Sequence, residues 1–194
     1  MVKTNINLLA EGEVVYTDGG VLAEFAWVLV VLPFIAALII TFAGKSLPLK
    51  GAEIALGTIG IIFIYSLALM YLHVTEGVAN EFFINVGNIG QFDIEFGWVV
   101  DGLSIMMYFV VGLVALLVFI YATNYMEGEI RYTFFFTSLT LFAGSMLVLV
   151  SSPTLIQILI GWELVGVCSY LLIGHYWEVK DNSSAAMKAF ITNK

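Results

Sequence analysis

Five separate stretches of this chain are each long and apolar enough to cross a lipid bilayer, and nothing else in the sequence restricts the fold so far. A spanning helix needs about 20 consecutive apolar residues. The first stretch is 25–44, between Glu24 and Lys45, and the second is 54–75, between Glu53 and Glu76. The third lies between Asp101 and Glu127, and the fourth runs from Tyr132 to Ser151. Pro153 then interrupts the run: proline pushes the residue before it out of helical geometry but is tolerated in a first helical turn. The fifth stretch is therefore 154–176. Inside lipid every backbone N–H and C=O must be satisfied within its own segment, so each stretch reads as a helix.

Composition supports the same conclusion. Of 194 residues, 61% are hydrophobic and 11% charged, against about 25% charged in a soluble domain. Mean hydropathy is +1.01. These values exclude an ordinary water-soluble fold. The net charge of −8 leaves no basic patch, so nucleic acid is not an expected partner; the lipid bilayer is. The expected fold class is an all-α polytopic membrane protein with about five complete transmembrane helices, the start of a sixth and an external β-hairpin.

The loops carry an orientation signal. Lys45, Lys50, Arg131, Lys180, Lys188 and Lys194 fall on one side of the five spans, and Lys3 alone on the other. The side richer in Lys and Arg is cytoplasmic. This predicts a multi-pass protein of the inner (cytoplasmic) cell membrane with its N-terminus outside. Residues 1–20 hold Glu11, Glu13 and Asp18, whereas a secretory signal puts positive charge before its apolar core; the first stretch is expected to be a retained helix.

The expected organisation has four parts. Residues 1–20 form an external N-terminal segment, and 21–75 two transmembrane helices. Residues 76–101 form an external loop, and 102–194 helices three to five with the start of helix six. Within the loop, Gln91-Phe92-Asp93-Ile94-Glu95-Phe96 alternates polar and apolar, the pattern of a strand with one buried face. Glu81–Val86 is also strand-like, and Gly87-Asn88-Ile89-Gly90 supplies turn residues. At the far end, Asn182-Ser183-Ser184 offers N-caps for a helix over Ala185–Lys194. Ten helical residues rise only about 15 Å, half a bilayer. The expectation is a fragment whose remaining half is missing or is supplied by a separate chain.

Glu163 is the one acid inside any of the five stretches. No charged residue lies between Arg131 and Glu163, or between Glu163 and Glu178. A charge at the centre of a membrane helix costs about 2.5–3.5 kcal/mol on insertion scales, and such residues usually bind or relay an ion. Burial raises a carboxyl pKa and a nearby lysine lowers it, so a poised site can take up and release a proton. The plain structural alternative is a neutral acid bonded to a neighbouring helix. Gly161 and Gly166 flank it and allow close helix approach. Tyr170 lies two turns along the same face, either ordering water or packing. His175 closes the fifth stretch, where its ordinary pKa suits proton uptake. Lys188, in the opening turns of helix six, is a candidate for the same path or a topology determinant. Asp101 reads as a helix cap, His73 as an interfacial residue, and Cys168 as a small packing residue. One cysteine cannot hold an iron–sulfur cluster. The two histidines have no metal-ligand spacing, and no nucleotide-binding motif occurs. No metal or cofactor is expected in this chain.

Several stretches in 98–194 closely resemble one family. They are Val100-Asp101-Gly102-Leu103-Ser104; Tyr125-Met126-Glu127-Gly128-Glu129 followed by Tyr132; Ala143-Gly144-Ser145-Met146-Leu147-Val148-Leu149-Val150; and Ala186-Met187-Lys188-Ala189-Phe190. The most specific is Gly161-Trp162-Glu163-Leu164-Val165-Gly166-Val167-Cys168-Ser169-Tyr170-Leu171-Leu172-Ile173-Gly174. Together they resemble the L-subunit family of NADH:quinone oxidoreductase (complex I), whose relatives include Mrp-type sodium/proton antiporters. Residues 1–97 match it only in layout. The resemblance implies inverted five-helix repeats and a proton-translocating subunit. Glu163 falls on the family's protonatable fifth-helix glutamate, which pairs with a lysine on a later helix beyond residue 194. Phe134 stands where relatives often carry an arginine. The implied function is proton pumping coupled to quinone reduction in partner subunits, with other membrane-arm subunits of a complex I-like assembly as neighbours. The chain is then part of a translocase enzyme but does no redox chemistry itself. The alternatives are an Mrp-type Na+/H+ antiporter subunit and a non-conducting truncated structural subunit.

Overall fold

The computed structural model describes residues 17–18, 20–89 and 92–193. The expected 1–20 segment falls almost entirely outside these residues, as do Gly90 and Gln91 of the expected hairpin. The elements run β1 (Thr17–Asp18), α1 (Gly20–Glu24), α2 (Trp27–Ala43), α3 (Ala52–Glu76), β2 (Val78–Ile89), β3 (Phe92–Val100), α4 (Gly102–Tyr125), α5 (Tyr132–Ser151), α6 (Leu155–Ile173) and α7 (Lys180–Thr192). A 3-10 turn, Gly44–Ser46, extends α2. Five of the helices are long and apolar enough to cross a membrane: α2 with its extension, α3, α4, α5 and α6. The chain is a multi-pass helical membrane protein.

Local chemistry sets the boundaries. Asp101 caps α4 by accepting a hydrogen bond from the Ser104 N–H at 2.7 Å, the role its position suggested. Thr154, directly after Pro153, accepts from the Gln157 N–H and opens α6. Gly77 closes α3 in the left-handed region at φ 65°, its N–H donating to the His73 carbonyl. A side chain rarely adopts that conformation. Gly51, at φ 98°, precedes α3 in the same way.

α5 is the most buried span, packed against α2, α3, α4 and α6. Its small residues make this possible. A side chain at Gly144 would press on Pro33 and Phe34 of α2. The hydroxyls of Ser138, Thr140 and Ser145 each donate to the carbonyl four residues back. They therefore enter the packed interior already satisfied.

The strands sit at one end of the bundle. β2 and β3 pair antiparallel from Asn80↔Val100 to Ile89↔Phe92, and β1 adds parallel to β2 through Thr17↔Val78. The expected turn over 87–90 is corrected: residues 87–89 belong to the ladder. A bulge between Asn85 and Gly87 absorbs Val86 and carries the pairing onward. Two other boundaries also move. α6 ends at Ile173, not Tyr176, and α7 starts at Lys180, so Asn182, Ser183 and Ser184 lie inside its first turns and cap nothing.

The opposite end gathers the connections 44–50, 126–131 and 174–179. Thr133 donates to the Lys50 carbonyl at 3.0 Å, and Arg131 donates to the His175 carbonyl. Lys45, Lys50, Arg131 and Lys180 therefore share one end and the sheet occupies the other.

Candidate functional site: a carboxylate in the middle of α6

Glu163 is the ninth of the nineteen residues of α6, about 12 Å along the axis from Leu155. Its side chain is half-buried. The helix around it has two distinct faces. Gln157, Gly161 and Cys168 are buried and lie four and seven residues apart, one and two helical turns, so they form the stripe that meets α5. At Gly161 an added Cβ would lie 3.0 Å from the Leu149 backbone, so only glycine permits this approach. Cys168 Sγ lies 3.8 Å from Ser145 Oγ.

The second face meets α7. Trp162 Nε1 donates to the Asn193 carbonyl at 3.1 Å. The Tyr170 ring lies 5.7 Å from the Phe190 ring. A side chain at Gly166 would meet the Asn193 amide at 3.2 Å. At about 100° per residue, Glu163 is close to the azimuth of Tyr170 and points away from α5. The two therefore share a face, as their spacing suggested. Lys188 does not join them: it is exposed, about 200° around α7 from Ala186, which is buried.

His175 follows α6 and is buried, only 4% exposed, where an interfacial histidine is ordinarily solvated. Its ring stands edge-on to Phe135 at 5.5 Å and stacks near Phe134 at 6.3 Å. Arg131 holds the surrounding turn. It donates to the His175 carbonyl, pairs with Glu178 and lies 3.6 Å over the Trp177 ring. Burial, then the Arg131 charge, hold the imidazole pKa below its ordinary value, while Glu129 opposes them. Phe134 contributes an aromatic wall beside the His175 ring.

Two functional contacts escape a reading of the sequence. Gln157 accepts from the Gly97 N–H at 2.9 Å and donates to the Gly97 carbonyl at 2.8 Å, acting as one more strand beside β3. Thr154 donates to the Glu95 carbonyl at 3.1 Å. The helix bearing Glu163 is thereby tied to the sheet. A polar amide inside an apolar stretch was the available signal for Gln157. Arg131 counted in the sequence only as a topology determinant.

Fold and site together define a multi-pass membrane protein with a carboxyl group at mid-span. Residues 87–136 match the family described as NADH-Ubiquinone oxidoreductase (complex I), chain 5 N-terminus, and residues 152–194 match NADH:quinone oxidoreductase/Mrp antiporter, TM. The chain is similar to the N-terminal part of the complex I L-subunit family. It is 38% identical over 180 residues to NAD(P)H-quinone oxidoreductase chain 5 of Synechocystis, covering 89% of this chain and 26% of that one. It is 36% identical over 178 residues to the subunit 5 of the Paulinella chromatophora chromatophore, covering 88% and 27%. It is 37% identical to the chloroplastic subunit 5 of Chlorokybus atmophyticus, with the same coverage. The chain thus spans about a quarter of the length of these relatives. The matched share also reaches well into residues 1–97, where the sequence analysis saw likeness only in layout. The same fold occurs in a chain of the membrane-bound sulfane sulfur reductase, an archaeal respiratory membrane complex, with a TM-score of 0.70 at 13% identity, covering 86% of this chain and 33% of that one.

Proposed function

We propose that this chain is a proton-translocating membrane subunit of an NAD(P)H:quinone oxidoreductase, with Glu163 as its central proton carrier. The observation that carries the reading is the place of Glu163: mid-span, half-buried, on the face of α6 turned away from α5. An ionised carboxylate there needs a compensating cation, and loss of that cation favours the neutral acid. In the family this chain resembles, a lysine on a later helix plays that part. Moving such a lysine toward or away from Glu163 loads and unloads the proton. In this reading quinone reduction belongs to partner subunits, and no redox cofactor is expected in this chain. The basic end faces the cytoplasm of the cell's inner membrane and the sheet faces outside, from the distribution of Lys and Arg. Tyr170 extends the carboxylate's face toward the basic end, and Lys188 lies on the cytoplasmic approach. An antiporter role shares the same α6 match. The curated relatives named above, all quinone oxidoreductase subunits, favour the redox-linked reading.

The test compares two substitutions in the complete assembly, with proton uptake measured in inverted membrane vesicles. Glu163→Gln keeps shape and hydrogen bonding but cannot ionise. Glu163→Asp keeps the charge one methylene further back. A carrier role predicts that Gln abolishes most pumping in an assembled complex while Asp retains part of it. A purely structural hydrogen-bonding role predicts the reverse order, and normal pumping by the Gln variant would exclude the carrier.

A further inference from the structure

α6 and α7 meet along one line. Asn193 lies against Trp162 and Gly166, Phe190 against Tyr170, and Ala186 against Gly174. On α6 and its cap these positions are four residues apart, about one turn each, and on α7 they run the opposite way, so the two helices are antiparallel. Toward the basic end the contacts are apolar. The Tyr170 and Phe190 rings are 5.7 Å apart, and Ala186 Cβ lies 3.4 Å from where a Cβ on Gly174 would stand. At the inner end of α7 the contact is directional. Trp162 Nε1 donates to the backbone carbonyl of Asn193 at 3.1 Å. Beside it, Gly166 leaves a notch for the Asn193 side chain: a Cβ there would be 3.2 Å from Nδ2, and no side chain of another described helix comes within 4 Å. Glu163 flanks this line. At about 100° per residue it is about 20° around α6 from Tyr170 and about 60° from Gly166. The i, i+3 spacing puts the Cβ position of Gly166 about 5–6 Å from that of Glu163.

We propose that Trp162 is a positioning residue: its indole N–H holds the inner end of α7 beside Glu163, so that α7 screens one flank of the carboxyl group from the lipid. The proposal rests on the Glu163 reading and adds what fixes the surroundings of the carrier. Trp162 itself exchanges no proton. Between membrane helices there is no hydrophobic driving force, since lipid tails are as apolar as the helices. The Tyr170–Phe190 and Gly174–Ala186 contacts therefore do little to choose one depth of α7 over another. A directional bond does choose. In hydrocarbon no water competes for the Asn193 carbonyl, so the Trp162 N–H satisfies it there and sets the level of α7 to that of Glu163. Gly166 completes the arrangement, because its missing side chain lets Asn193 close on α6.

The probe is dicyclohexylcarbodiimide, an apolar reagent that reaches intramembrane carboxyl groups through the lipid. Mass spectrometry of the assembled complex reads the rate at which it modifies Glu163, without any activity. Trp162→Phe keeps an aromatic ring and removes the N–H. Labelling of Glu163 should rise about three- to tenfold, the change that losing one hydrogen bond between helices permits, and proton uptake should fall by a similar factor. Gly166→Ala presses a methyl on the Asn193 amide and should raise labelling as well. Adding Asn193→Ala removes that collision and leaves the backbone acceptor in place, so the double variant should label at close to the wild-type rate. This pair decides the question if the Trp162 variant fails to assemble. Labelling in Trp162→Phe no faster than in the wild type would overturn the proposal, as would faster labelling in Gly166→Ala that Asn193→Ala does not reverse. Faster labelling with normal pumping in Trp162→Phe would overturn the positioning role. Normal pumping by Glu163→Gln would refute the carrier alone, since the labelling rates do not depend on it.

Discussion

Gln157 is the residue on which the connection between helix and sheet depends. Both polar atoms of its amide are used on the backbone of Gly97, and the residue is only 6% exposed. Gly97 needs its missing side chain as well, since a Cβ there would overlap the Phe82 carbonyl. Gln157→Leu fills a similar volume but leaves the Gly97 N–H and C=O without partners. It should destabilise the protein by about 1–3 kcal/mol, seen as a lower unfolding midpoint in detergent and faster hydrogen exchange at Gly97 than elsewhere in β3. An unchanged Gly97 exchange rate would show that the amide holds nothing. At this scale the sequence was half legible. Glu163 announces itself because no other acid occurs inside the five apolar stretches. Gln157 and Arg131 do not, because their partners lie 60 and 44 residues away. Nothing local records such pairings.

Elements were easiest to find where charges bracket their apolar run, as Glu53 and Glu76 bracket that of α3. The end of α6 was harder. Tyr176 and Trp177 prolong the apolar run, but Arg131 takes the His175 carbonyl and the Trp177 face and folds the chain away. That makes the turn 174–179 sensitive to acid. The His175 pKa is lower in the folded state than in the unfolded chain. Below about pH 6.5 the unfolded chain therefore binds more protons, so the stability of the turn is complete above that pH and is lost as pH falls. Backbone exchange at 174–179, corrected for intrinsic rates, should be faster at pH 5.5 than at pH 7.5. In His175→Phe the difference should vanish. If it persists in that variant, another group is responsible.

For the whole molecule, the two ends differ in chemistry: Lys45, Lys50, Arg131 and Lys180 gather at one, the sheet at the other. An odd number of crossings separates them, so the orientation proposed from charge has one clear test. In a Cys168→Ser background, Asp181→Cys should react with a membrane-impermeant reagent only when the cytoplasmic side is exposed. Labelling from outside intact cells would invert the topology. The number of spans was readable from hydropathy, whereas which spans touch was not, because apolar faces look alike in lipid and the close contacts of α5 are marked by glycines such as Gly44, Gly144 and Gly161. The clasp between Gln157 and Gly97 also has a consequence in time. The two residues are 60 apart, and chains grow at about 5–20 residues per second, so roughly 3–12 s separate their synthesis. During that interval the outer edge of β3 has no amide to meet. A newborn chain halted before α6 would carry an open strand edge, and a protease or chaperone on that side of the membrane would have a few seconds in which to tell it from a finished one.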